Sequence, residues 1–126
     1  MLAHKELKTV IQDLLSKFDF QIQETQLQDG WIVQTAPKSW FSLMQALNAR
    51  EKIGVVNLIL ITARRAGQKF ELIGELEIEN ISERISVRTM LSANDELDSI
   101  TSLWTCAGRF EREVHERYGV AMRGDI

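Results

Sequence analysis

Three consecutive strand patterns between residues 55 and 91 constrain the fold more than any other feature of the sequence. The first is the apolar run VVNLILITARR, rich in β-branched residues, which fits a strand buried on both faces. In KFELIGELEIEN, Leu76 and Ile78 alternate with glutamates, and ERISVRTML repeats such an alternation. Alternation of this kind is typical of a strand with one wet face. The link over residues 80–83 is short, so the last two strands are predicted to pair antiparallel.

The N-terminal third predicts a helix followed by a hairpin. Apolar residues recur at helical spacing over residues 4–18, which indicates an amphipathic helix. Asp29-Gly30 is a strong hairpin-turn signal, and strands are predicted on either side of it, at about 20–27 and 31–35.

A second helix and a last helix complete the pattern. Pro37 ends the second strand, and Ser39 is predicted to cap a helix that runs to about Arg50. SANDELD, residues 92–98, is predicted as a polar loop before the last helix. The order is then α-β-β-α-β-β-β-α. It predicts an α+β fold, a single domain over residues 1–126 in which helices pack on a mixed, mostly antiparallel sheet.

Composition excludes several classes of function. The net charge of -3 gives no electrostatic reason for nucleic-acid binding, and no Gly-rich phosphate loop is present. A lone cysteine excludes an intramolecular disulfide and any Cys-clustered zinc or iron–sulfur site. The N-terminal stretch lacks the apolar core of a signal peptide, and no run approaches 18 apolar residues. Any membrane association is therefore expected to come through a partner.

No catalytic, cofactor or metal site is predicted from the remaining candidates. Cys106 and His115 are nine residues apart and would face nearly opposite sides of a helix. Glu111 and His115 share a helix face, but a metal site needs further ligands, and His4 is remote in sequence. The three tryptophans are predicted to be core or interface anchors: Trp31, Trp40 and Trp104.

The last helix, residues 107–118, combines an apolar stripe with a dense set of charges. Glu111 falls inside the stripe, where an unpaired carboxylate would be costly. It is predicted to have a structural partner, such as an arginine, a backbone N–H group or the helix N-terminus. The alternative is a functional acid. The stripe itself consists of Ala107, Phe110, Val114 and Tyr118. On the other faces, Arg112–Glu116 and Glu113–Arg117 are predicted to form i,i+4 ion pairs.

This segment resembles the 30 kDa subunit family of respiratory complex I, which includes related subunits of energy-converting, membrane-bound [NiFe] hydrogenases. The resemblance rests on an aromatic residue, a short link, an ERE triplet, a later acidic residue and an aromatic-Gly-aliphatic end. In this sequence these are Trp104, Glu111-Arg112-Glu113, Glu116 and Tyr118-Gly119-Val120. Arg117 departs from the family pattern, as does the end of the sequence at MRGDI, where larger relatives continue. That ending and His115 favour the hydrogenase-type version.

The resemblance implies a non-catalytic subunit in the peripheral arm, on the cytoplasmic face of the membrane. Its expected partners are a hydrogenase-like large subunit and a small iron–sulfur subunit, which would carry the [NiFe] centre and the clusters. The chain itself is expected to bind no cofactor. The predicted partner-docking signature comprises Trp104, Phe110, Glu111, Arg112, Glu113, His115, Glu116, Tyr118 and Gly119.

Two other functions stay open at this point. One is a short C-type subunit of an NADH:quinone-type oxidoreductase. The other, of a different class, is a free-standing α+β adaptor or ligand-binding domain.

Overall fold

A computed structural model describes residues 3–27, 29–49, 53–79, 81–92 and 94–124, and these form three helices and seven strands. A short 3-10 turn, Pro37–Ser39, precedes the second helix. The elements in chain order are α1 (His4–Leu14), β1 (Phe20–Glu24), β2 (Gly30–Thr35), α2 (Trp40–Leu47), β3 (Val56–Ala66), β4 (Lys69–Ile78), β5 (Arg84–Leu91), β6 (Glu96–Asp98), α3 (Ala107–Tyr118) and β7 (Ala121–Arg123).

The main sheet has five strands in the order β1-β2-β5-β4-β3. Three neighbouring pairs are antiparallel, and the central β2–β5 pair is parallel. The predicted α+β class with a mixed, mostly antiparallel sheet is therefore confirmed, as is the antiparallel pairing of β4 with β5. A parallel pair needs a long connection between its strands. Helix α2, β3 and β4 provide that connection between β2 and β5.

The core lies between this sheet and the helices. Leu7 and Ile11 of α1 are fully buried, and Trp40 and Met44 of α2 lie directly over Gly74 of β4. A Cβ built on Gly74 would come within 2.8 Å of the Met44 methyl and 3.1 Å of the Trp40 ring. The absence of a side chain at that position lets the helix approach the sheet closely.

The prediction that the first strand of the central trio is buried on both faces is wrong. β3 is an edge strand whose buried residues alternate with exposed ones such as Asn57 and Thr62. The register shifts between Leu58 and Leu60, so one more apolar residue fits into the run without a second buried face. A bulge of this kind interrupts the alternation that would have marked a half-exposed strand.

Helix α1 is shorter than the apolar spacing suggested. α1 ends at Leu14, and Leu15 and Phe18 form a turn closed by a 2.9 Å bond from the Phe18 N–H to the Leu15 carbonyl. Both residues still pack on the core, so spacing alone could not separate turn from helix. Ser39 does precede α2, but its side chain makes no capping bond. The predicted end near Arg50 lies outside the described residues.

Two short strands were missed. β6 lies inside the segment predicted as a polar loop, and it pairs in parallel with β7, which follows α3. Each has three residues, too few for a periodic pattern. Leu97 is nevertheless fully buried, and Arg123 bonds to Asp98 at 3.1 Å. This small sheet joins the segment that precedes α3 to the segment that follows it.

Candidate functional site

Helix α3 carries the signature and spans the predicted residues 107–118. It ends because Gly119 adopts a left-handed conformation, with φ of 73°, and donates its N–H to the His115 carbonyl at 2.8 Å. The chain then turns directly into β7, and Val120 is buried at that turn. The Gly119 part of the signature thus redirects the chain after the helix.

Glu111 is 1% exposed and fully satisfied by the turn that precedes α3. One carboxylate oxygen accepts the Ser99 hydroxyl at 2.6 Å and the Thr101 hydroxyl at 3.2 Å. The other accepts the Ile100 N–H at 2.9 Å. A backbone N–H group was among the predicted partners, and the structure places one there together with two hydroxyls. Glu111 therefore braces α3 against residues 99–101.

The aromatic residues of the signature also pack against the rest of the fold. The Trp104 ring N–H donates to the Val56 carbonyl at 2.9 Å, which ties the turn before α3 to the start of β3. Tyr118 meets Phe70 edge to face, with ring centroids 5.5 Å apart. Phe110 is half-buried against the core. Together with Glu111, these residues help to fix the position of the helix, and all three aromatic residues remain half-exposed.

The charged members of the signature point outward. Arg112, Glu113, His115 and Glu116 are all exposed. All of α3 is described, yet neither predicted ion pair, Arg112–Glu116 or Glu113–Arg117, is present. That prediction is wrong because an exposed pair gains no more than about 1 kcal/mol and must order two long side chains. These charges are therefore free to meet a partner's charges.

A groove of about 360 Å³ runs between α3 and β7 beside this charged face. It is lined by Glu111, Arg112 and His115 of α3 and by Ala121 and Met122 of β7. His115 Nδ1 lies 3.0 Å from the Val120 carbonyl, and donation to that oxygen would leave the other ring nitrogen facing outward. The groove combines a guanidinium, an imidazole and a thioether, a mixture suited to a side chain from another protein.

The uncovered face of the sheet differs from α3, because its charges are paired within the chain. Arg64 contacts buried Glu71 at 2.6 Å, and Ser86 donates to Glu75 at 2.9 Å. Arg88 in turn donates to the Ser86 hydroxyl at 3.1 Å. A face whose charged side chains are already bonded within the chain offers less to a charged partner than α3 does.

The other sequence candidates are not brought together. Cys106 precedes α3, with its sulfur 3.8 Å from the Leu58 carbonyl, whereas His115 bonds at the opposite end of the helix. Trp31 and Trp40 are buried core residues. Across the described part of the chain, no group of three or more His, Cys, Asp and Glu residues is placed to hold a metal ion. Within the same ranges, no helix is long and apolar enough to cross a membrane.

Sequence reasoning missed the residues that complete the site. Ser99, Ile100 and Thr101 bind Glu111, but they belong to a polar turn with no periodicity. The only available signal was a pair of hydroxyl residues just ahead of Trp104. A second missed cluster, around His4, lies at the other end of the chain.

Fold and site together define a small α+β domain whose charged helix is braced from within and presents unpaired charges. A model of the family described as the respiratory-chain NADH dehydrogenase, 30 Kd subunit, matches residues 33–125. The chain belongs to this family.

Individual relatives agree with that assignment. The C subunit of the NADH-quinone oxidoreductase of Halorhodospira halophila is 27% identical over 101 residues, covering 77% of this chain and 41% of the relative. The corresponding subunit of Dechloromonas aromatica is 26% identical over 133 residues, covering 94% and 65%. That of Rickettsia prowazekii is 21% identical over 122 residues, covering 94% and 62%. The chain thus spans between 41% and 65% of the length of these relatives.

A solved structure is similar to the fold. One chain of the membrane-bound sulfane sulfur reductase, an archaeal respiratory membrane complex, superposes with a TM-score of 0.72 at 15% identity. The match covers 94% of this chain and 71% of that chain. At this identity the likeness concerns the fold alone.

Proposed function

We propose that this chain is a non-catalytic assembly subunit of a membrane-bound redox complex of the complex I type, docked through the exposed face of α3. One observation carries the proposal: the charged half of the signature is exposed and unpaired, while Glu111 and Trp104 hold the helix in place from inside. A rigid helix with uncompensated charges can select a partner and fix its register without supplying chemistry.

The relatives support this function. Three of them are named as the C subunits of NADH-quinone oxidoreductases, and the similar fold occurs in a respiratory membrane complex. In the proposed complex the chain lies in the peripheral arm on the cytoplasmic face and reaches the membrane only through partners. Its partners would be a hydrogenase-like large subunit and a small iron–sulfur subunit. These two partners would hold the cofactors, and this chain would hold none.

The type of complex divides into two candidates. A hydrogenase-type, ion-translocating complex is supported by the resemblance at His115, and its large subunit would hold a [NiFe] centre. A quinone-linked complex is favoured by the names of the three relatives. Metal analysis of the complex purified through this chain separates them, because nickel in stoichiometric amount is expected only for the hydrogenase type. Paired nickel-ligating CxxC motifs in the adjacent large subunit would make the same distinction.

The docking proposal is tested by reversing charge on α3. The Arg112→Glu variant, with a tag for purification from solubilised membranes, is expected to recover at least about tenfold less of the partner subunits than the wild-type chain. Reversal places like charges together at the interface, and tenfold in recovery corresponds to about 1.4 kcal/mol.

Lys38→Glu is the matched control. Lys38 is exposed and lies away from α3, and its replacement changes the net charge by the same amount. It is expected to recover the wild-type amount. Equal losses in both variants would reject docking through α3. A wild-type chain that recovers no iron–sulfur or membrane subunit would reject the complex itself and favour a free-standing adaptor.

A further inference from the structure

His4, the first residue of α1, lies between two carboxylates and against a buried ring. Its Nδ1 contacts Glu83 in the link between β4 and β5, and its Nε2 lies 2.7 Å from Glu24 at the end of β1. The imidazole stacks on Trp31 of β2, with centroids 4.4 Å apart and planes at 19°. One side chain therefore connects the first turn of α1 to β1, to β2 and to the link between β4 and β5.

With both carboxylates ionised, the two contacts require that His4 carries two protons. A neutral imidazole has one N–H donor and one acceptor nitrogen, whereas an ionised carboxylate only accepts. The neutral ring can therefore satisfy Glu83 or Glu24, and the remaining carboxylate would face a lone pair. Only the imidazolium donates to both.

The surrounding charges work in opposite directions. The hydrogen bond to Glu83 is the largest cause that raises the pKa of His4 above its usual 6.5; partial burial opposes it, and Glu24 adds to it. On α1, the Lys8 ammonium lies 5.5 Å from the Trp31 ring centroid, and Glu6 accepts the Ala3 N–H at 3.3 Å. The helix dipole also disfavours a cation at the first turn. The two carboxylates therefore act against both the partial burial and the helix dipole.

We propose that His4 is a proton-dependent latch, which holds the first turn of α1 to β1 and to the entry of β5 when the imidazole is charged and releases one of the two carboxylates when it is neutral. The latch does not depend on the docking role of α3. It makes the attachment of α1, which lies ahead of the family match, sensitive to pH.

The sign of the effect follows from a folded-state pKa that is raised. Below pH 6.5 the ring is protonated in both the folded and the unfolded chain, and the stabilisation is fully present. It is lost as the pH rises through the higher folded-state value. The chain should therefore become less stable toward alkaline pH on account of this group.

Nitrogen NMR of the imidazole tests the latch directly. With His115→Gln to assign the two histidines, His4 is expected to keep both ring N–H groups above pH 6.5, and Glu83→Gln is expected to move its titration to lower pH. Glu24→Gln, at a half-exposed position, should move it in the same direction by less, and it serves if Glu83→Gln does not fold. Glu79→Gln is the matched control on the same loop region, because Glu79 contacts Asn57 and not His4.

Urea unfolding supplies the second readout. The wild-type midpoint is expected to fall between about pH 6 and about pH 9 more than the midpoint of His4→Gln does. Equal pH dependence of the two proteins would overturn the proposal. So would a His4 titration at or below pH 6.5, or an equal shift caused by Glu79→Gln and by both latch variants.

Discussion

We expect the Glu111→Ala variant to unfold with a free energy about 3 kcal/mol below that of the wild-type chain. The substitution removes three hydrogen bonds to a carboxylate that is 1% exposed. It also leaves the Ile100 N–H without a partner in the interior. Bonds to a charged group contribute more than neutral ones, and an orphaned buried donor adds its own penalty.

Glu111→Gln is the matched control, because it keeps the shape and most of the bonding. Its amide oxygen can accept the Ile100 N–H, and its NH₂ group can donate to the hydroxyls of Ser99 and Thr101, which are able to rotate. We expect a loss of about 1 kcal/mol for this variant, measured by urea unfolding. Equal stabilities for the Ala and Gln variants would contradict a bracing role.

The same pair of variants also separates bracing from acid–base chemistry. If Glu111 only braces α3, the Gln variant assembles with its partners and the complex retains its turnover. Loss of turnover in an intact, assembled Gln complex would instead identify a functional acid.

The Ser99→Ala variant removes one hydroxyl from the turn, and we expect its effect on the free energy of unfolding to be non-additive with that of Glu111→Ala, since the two residues share a bond.

Long periodic segments were predictable from the sequence, and short paired ones were not. The ends of helix α3 were predicted correctly, because four apolar residues repeat at helical spacing before Gly119. The antiparallel pairing of β4 with β5 followed from a short link. β6 and β7, by contrast, are separated by α3 in the sequence, and neither is long enough to show alternation.

The residues of the candidate site show the same difference between predictable and unpredictable features. Helical phase was sufficient to separate inward Glu111 from the outward charges, because it depends only on spacing. The partners of Glu111 come from a turn, where backbone geometry decides which groups point inward. The His4 cluster joins residues 20 and 79 positions apart, so no local pattern could have indicated it. Contacts that depend on the assembled sheet are therefore the part that sequence reasoning misses.

The Asp29-Gly30 signal gave the hairpin correctly but misplaced the glycine. Gly30 was predicted in the hairpin turn between strands at about 20–27 and 31–35, where a glycine serves by adopting positive φ. Instead it is the first residue of β2, opposite Arg84 of β5, and the turn precedes it. A Cβ at this position would lie 2.2 Å from the Arg84 carbonyl oxygen. The glycine is needed because the backbones of β2 and β5 approach closely. Replacing it should therefore lower the stability more than replacing a glycine in a turn does.

We therefore expect Gly30→Ala to lower the free energy of unfolding by about 3 kcal/mol or more, because the atom it meets is backbone and cannot rotate away. Gly67→Ala provides the contrast. Gly67 has a φ of 65° in the turn between β3 and β4, and a Cβ there meets nothing within 4 Å. Only conformational strain of about 1 kcal/mol is expected.

Urea unfolding of both variants measures the difference, and hydrogen exchange locates it. In Gly30→Ala, protection should fall first at the start of the β2–β5 pair, where the Arg84 N–H donates to the Asp29 carbonyl at 3.1 Å. A Gly30→Ala chain no less stable than Gly67→Ala would mean that β2 and β5 can separate at this end without cost. The parallel pair at the centre of the sheet would then be held by the rest of its register, including Trp31 and Val33, whose burial in the core does not depend on that approach.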